Sequence, residues 1–211
     1  MNSLDEIAER IRLNFETRTR VRDQALAQAR VLIRHCSLAI RAVHRGEREA
    51  ARAELAEAAQ LAAQLNSNLQ GFQDIYYAGY TQDALKEFAE ANIVEALVDG
   101  GSLPTPEELS IPPSTYINGL AEAATEMRRR CLDIMRAGRA QEAEGLLDRM
   151  DEIYGVLVTM DYPDAITAGL RRQTDIVRGV VERTRGDLTI SLRQQQLEES
   201  LRKMEARLDG K

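Results

Sequence analysis

Two pairs of glutamates, Glu87 with Glu90 and Glu122 with Glu126, are the residues in this chain whose type and spacing could do chemistry. Side chains three or four positions apart on an α-helix project from neighbouring points of one face, so each pair can present two carboxylates to one point in space. Carboxylate oxygens are hard donors, suited to Mg²⁺ or Mn²⁺. Four of them converging on such a cation would make a centre able to hydrolyse a phosphodiester. The competing reading is that glutamates at these spacings are ordinary solvated helix surface.

The elements that must position these pairs lie on either side of a Gly/Pro-rich connector, GGSLPTPEELSIPP, at residues 100–113. No proline precedes Pro104, and Ala, Leu, Glu and Arg dominate the chain, a pattern that favours long helices. The spacing predicts helices over residues 4–45, 48–69, 73–98, 114–137, 139–160 and 164–208, with a short turn at 106–109. No strand pattern and no fixed-period repeat is present. The expected fold is all-α, an antiparallel bundle of about six to seven helices forming one domain over residues 1–211.

The two pairs differ in their surroundings. The helix carrying Glu87 and Glu90 is apolar almost all round, with Leu85, Phe88, Ala89, Ile93, Val94 and Leu97 leaving no broad polar face. A carboxylate in that company costs free energy unless it is paired, hydrogen-bonded or metal-bound. Lys86, the single base between residues 53 and 127, points to a different side. Glu122 and Glu126 instead lie opposite a clean apolar stripe of Leu120, Ala124, Met127, Cys131 and Ile134. Taken alone they read as wet surface, and function requires that this face line a water-filled cavity.

Charge is distributed unevenly along the chain, whose net value is −6. Residues 1–52 hold eleven Arg and seven acids, and residues 53–127 hold twelve acids and one base. Such a division suits a protein that gathers carboxylates in one place and offers arginines to a polyanion elsewhere. On the first helix Arg30, Arg34, Arg41 and Arg45 fall within about 60° of one another, off the core stripe of Leu26, Ala29, Ile33, Cys36, Ile40 and Val43. Two readings of that row stand: a track for phosphates, or a solvated face of ion pairs. Arg129 is a further candidate for nucleic-acid contact.

Other chemistries are excluded by what is missing. Two histidines, His35 and His44, cannot build a His-rich metal centre, and neither stands in a Glu-x-x-His motif. There is no Gly-rich phosphate loop, Ser/His/Asp set or Cys-x-x-Cys motif. Cys36 and Cys131 sit far apart among apolar neighbours, as reduced buried thiols do. No apolar run reaches membrane-spanning length and the N-terminus lacks a signal-peptide core. A cytoplasmic chain with no membrane contact is therefore expected.

The segment YTQDALKEFAEA, residues 80–91, resembles a stretch of the translin and Trax family that ends Gln-Glu-Tyr-Val-Glu-Ala, with Glu87 and Glu90 at its two glutamates. LPTPEELSIPPSTYINGLAEAATEM, residues 103–127, is similar to the family's link between its two carboxylate helices. Residues 21–47 and 171–189 resemble its first and last long helices, so the likeness covers most of the chain. Glu126 matches the glutamate of the family's Ala-Asp-Leu-Thr-Gly-Glu-Leu segment, and Glu122 stands where that segment has Asp. Thr-Gly there becomes Ala124-Thr125 here.

The resemblance implies an all-α protein that assembles into a hollow, octamer-like shell and binds single-stranded RNA or DNA. In the Trax branch it further implies a Mg²⁺-dependent endoribonuclease whose acids face the interior. Glu87, Glu90, Glu122 and Glu126 would then be both catalytic and metal ligands, with Mg²⁺ or Mn²⁺ as cofactor. Because all four positions are carboxylates, the cutting branch is expected, acting on single-stranded or loosely paired RNA in a homo-oligomer. The alternative is a translin-like binding protein for single-stranded RNA or DNA with no catalysis.

Overall fold

The structure, a computed structural model, describes residues 3–209. Among these the chain is all-helical, with six long helices and three single turns of helix. It groups into two compact units, Met1–Glu95 with Pro104–Tyr116, and Ala96–Leu103 with Ile117–Lys211. No helix among the described residues is long and apolar enough to cross a membrane.

In the first unit, α1 (Leu4–Arg45) begins on a capping box. The Ser3 hydroxyl accepts from the Glu6 amide at 3.2 Å, and the Glu6 carboxylate accepts from the Ser3 amide at 2.8 Å. The helix ends at Gly46, whose φ of 74° lies in the left-handed region that a residue without Cβ enters at little cost. Two residues later α2 (Arg48–Asn68) starts, so it returns antiparallel along α1. Leu32, Cys36, Ala39 and Ile40 of α1 and Leu55, Ala58, Ala62 and Leu65 of α2 are buried, while α1 ahead of Ala25 buries nothing.

The helix expected over residues 73–98 is two, α3 (Gln73–Tyr76) and α4 (Gly79–Asp99). The break persists because side chains satisfy the carbonyls it frees. The Thr81 hydroxyl donates to the Ile75 carbonyl at 2.8 Å, and the Gln82 amide donates to that of Tyr76 at 2.7 Å. The expected turn at α5 (Pro106–Leu109) is present, on a second capping box from Thr105 and Glu108. The Tyr116 hydroxyl donates to the Pro104 carbonyl at 2.7 Å, pinning the connector.

The second unit holds α6 (Pro113–Arg136) from Ile117 onward, α7 (Ala140–Thr159), α8 (Asp164–Thr167) and α9 (Leu170–Asp209). Gly138, at φ 73°, ends α6, and the Arg139 amide reaches back to the Ile134 carbonyl at 3.2 Å. α7 packs on α9 and buries Met150, Ile153 and Leu157, and α9 buries Val177, Val181, Thr184 and Leu188. Arg128 fastens α6 to α9, donating to Thr184 Oγ1 at 3.1 Å and to Asp187 Oδ2 at 2.8 Å. The last helix, expected to run continuously from 164, is split by two consecutive left-handed residues, Ala168 (φ 53°) and Gly169 (φ 85°). There the Asn118 amide donates to the Thr167 carbonyl at 2.8 Å. These two breaks account for two of the three short turns and raise the helix number to nine among the described residues.

Candidate functional site

Glu87 and Glu90 lie mid-way along α4, where Leu85, Phe88, Ala89, Ile93 and Val94 are all buried. One carboxylate oxygen of each lies within 4.8 Å of the other. Glu90 is only 9% exposed, and Glu87 is half-buried. Metal–oxygen bonds of about 2.0–2.1 Å put shared ligands up to roughly 4 Å apart, so two hard oxygens within 4.8 Å reach one divalent cation after a side-chain shift of about an ångström or less. The helix turn alone creates the juxtaposition, and burial keeps Glu90 from swinging into solvent.

Cys36 of α1 lies close enough to this pair to feel its charge. It is fully buried, and its thiol is pushed up to about 12, first by burial and then by the negative charges of Glu87 and Glu90. The sequence pattern placed Cys36 on a core stripe but carried no signal that the stripe meets the two glutamates. A thiol so strongly held in its protonated form is a poor ligand and a poor nucleophile.

Glu122 and Glu126 lie on α6 in the second unit, and both are half-buried rather than on an open wet face. The Gln173 amide of α9 donates to Glu122 Oε1 at 3.3 Å, and Arg129 Nη1 is 3.8 Å from Glu126 Oε1. Gln173 is the orienting partner that sequence reasoning missed, being 51 residues away. The Ala124-Thr125 step is accommodated in regular helix, with Ala124 fully buried and the Thr125 hydroxyl donating to the Glu122 carbonyl at 2.7 Å.

The arginine candidates Arg30, Arg34, Arg41 and Arg45 are all exposed along α1, and Arg129 is exposed on α6. Arg45 is engaged with Glu47 at 2.9 Å. His35 Nδ1 lies 2.6 Å from Glu54 Oε2 and ties α1 to α2, while His44 is buried. Tyr76 and Tyr77 meet edge to face at 4.9 Å, and Phe88 belongs to the core.

Known proteins share this arrangement of helices. No protein-family model matches the chain. The uncharacterised protein MJ0175 of Methanocaldococcus jannaschii is 30% identical over 187 residues, which span 88% of this chain and 82% of that protein. The crystal structure of AfC3PO matches with a TM-score of 0.81 at 28% identity, over 87% of this chain and 96% of that one. The structure of AfC3PO in complex with duplex RNA matches with a TM-score of 0.75 at 30% identity, over 87% and 95% of the two chains. The crystal structure of apo-NeC3PO matches with a TM-score of 0.81 over 90% of this chain and all of that one, but at 16% identity it speaks to the fold alone.

Proposed function

The chain belongs to the translin/Trax family, and from that premise we propose that it is a Mg²⁺- or Mn²⁺-dependent endoribonuclease cutting single-stranded or loosely paired RNA within an octamer-like homo-oligomer. The observation that carries this reading is the Glu87–Glu90 pair, two carboxylate oxygens within 4.8 Å on a helix with no broad polar face. Glu122 and Glu126 complete the proposed ligand set. A divalent cation held by such oxygens would supply a Lewis acid for a phosphate oxygen and a bound water more acidic than bulk water.

The chain's own residues do the rest of the work. Burial fixes the Glu90 carboxylate, and the Gln173 amide orients that of Glu122 through a hydrogen bond of 3.3 Å. The exposed arginines Arg30, Arg34, Arg41 and Arg129 bind the nucleic-acid backbone without reading sequence, and Arg45 contributes through whatever its Glu47 pairing leaves free. Single-stranded DNA presents the same phosphates and binds by the same means. AfC3PO has been solved with duplex RNA, which supports RNA as the polyanion and brings duplex into the test.

Purified protein is incubated with labelled single-stranded and duplex RNA in Mg²⁺, Mn²⁺ or EDTA, beside Glu87→Ala and Glu126→Ala. Cleavage is expected with metal and lost in EDTA and in both variants. Full cleavage by either variant refutes the ligand assignment. RNA retained intact after long incubation with metal makes the protein a non-catalytic binder instead.

A further inference from the structure

Along α9 the buried positions Val177, Val181, Thr184 and Leu188 form one stripe. It continues into half-buried Leu192 and Gln195, the latter donating to the Gly138 carbonyl at 2.6 Å. The next positions on that line are Glu199 and Arg202, and no described side chain of the helix beyond Leu188 is buried. A second apolar row starts where the first gives out. Ile190, Leu197, Leu201, Met204 and Leu208 are each between 50% and 71% exposed. With Gln194 they advance in alternating steps of four and three, the d and a positions of a heptad repeat. At 100° per residue this row lies about 145° round the helix from Gln195, so it faces away from the body of its unit.

We propose that residues 190–208 form a parallel, in-register, two-stranded coiled coil with the same segment of a second copy of this chain. Charge on the flanks selects this occupant and this direction. Arg193 and Arg207 stand at g positions, and Glu198 and Glu205 at e positions. Parallel pairing sets Arg193 against the partner's Glu198, twice per dimer. Antiparallel pairing would set arginine against arginine and glutamate against glutamate. Gln194 at an a position is the single polar residue in the seam, the kind of group that fixes register by bonding to its counterpart. It now donates to Glu198 at 3.3 Å. The Glu199–Lys203 pair, at 2.9 Å, occupies outer positions and leaves the e and g flanks to the partner. About two and a half heptads are short for an isolated coiled coil, so the pairing rests on the proposed homo-oligomer to bring the copies together.

The full chain is tested as Ile190→Cys and Met204→Cys, each oxidised and resolved without reductant, with the wild type as control because its two cysteines are buried. Each variant is expected to cross-link to itself as a dimer, while the wild type does not. Size-exclusion mass is measured in parallel. An oligomer without cross-links overturns this proposal alone, and a monomer without cross-links overturns the homo-oligomer as well. Cross-linking of Ile190→Cys only in mixture with Leu208→Cys shows an antiparallel pair and refutes it. Cross-linking of Leu197→Cys to Ile11→Cys, which sits in the exposed apolar row of α1, refutes it too. Arg193→Glu is expected to slow cross-linking of Met204→Cys roughly tenfold, and adding Glu198→Arg to restore it. Failure of that rescue also overturns the pairing.

Discussion

Replacing Glu90 by Gln keeps the side-chain volume and removes one charge from the pair on α4. Carboxylate oxygens within 4.8 Å repel by at least about 0.9 kcal/mol in bulk water and about 3.5 kcal/mol at an effective dielectric constant of 20. Glu90 is buried and Glu87 half-buried, so a value of about 2 kcal/mol is a fair working figure. For a chain of 211 residues, each kcal/mol moves the melting temperature by about 2–4 °C. Both carboxylates also hold interactions beyond this repulsion, which offset part of it, so Glu90→Gln is expected to melt above the wild type in EDTA by no more than about 4–8 °C. A cation reverses the comparison. At a hundredfold excess over its Kd it stabilises the wild type by about 2.7 kcal/mol, or roughly 5–11 °C. The variant, with one ligand gone, responds weakly. Scanning calorimetry at fixed chain concentration, in EDTA and in Mn²⁺, reads both effects, and RNA cleavage is followed on the same samples. If Glu90→Gln melts below the wild type in EDTA and both rise equally with Mn²⁺, the carboxylate serves as a structural hydrogen-bonding group and is not a ligand.

Two further outcomes follow from single side chains. Arg34→Ala and Arg41→Ala are each expected to weaken RNA binding alike across sequences and to lower the salt slope by about one, read by filter binding at several salt concentrations. Arg45→Ala is expected to do less, because Arg45 is paired with Glu47, and an unchanged slope in all three removes the row from the binding surface. Cys131 has its thiol raised to about 11, mainly by burial and against the opposing charge of Arg128. The fold thus favours the protonated thiol, so its contribution is complete below pH 9 and is lost as the pH rises through 11. Melting temperatures measured from pH 9 to 11 are expected to fall less steeply for Cys131→Ala than for the wild type, and equal slopes refute the assignment.

What could be seen in the sequence was what a single helix determines. The proline-free run ahead of Pro104 marked the long helices, and Gly46 and Gly138 marked two of their ends. Glu87 and Glu90 stood out because α4 has no broad polar face to carry them, and that physical oddity survives as a buried Glu90 carboxylate beside Glu87. What the sequence concealed depends on groups that meet only after folding. The break before α4 is held by Thr81 and Gln82 bonding to carbonyls six residues back, where neither proline nor a left-handed glycine marks it. The break before α9 uses Ala168 at positive φ, a residue type that gives no warning of such a conformation.

The same division runs through the candidate site and the α9 seam. A helical wheel shows which face a residue occupies but not what meets that face, so Cys36 looked like any other core residue and Glu122 looked like surface. It takes Gln173, 51 residues on, to turn Glu122 from a wet side chain into an oriented one. This is why the family resemblance carried Glu122 and Glu126 while local chemistry carried Glu87 and Glu90. On α9 the two apolar stripes overlap in sequence, and burial separates them. One stripe ends in Glu199 and Arg202 where the helix leaves its unit, and the other runs on to Leu208 with nothing in its own unit covering it. A row of exposed apolar side chains kept in heptad register over that length, with Gln194 at one position, is explained by a partner with the same period, and its flanking charges fit a second copy in parallel.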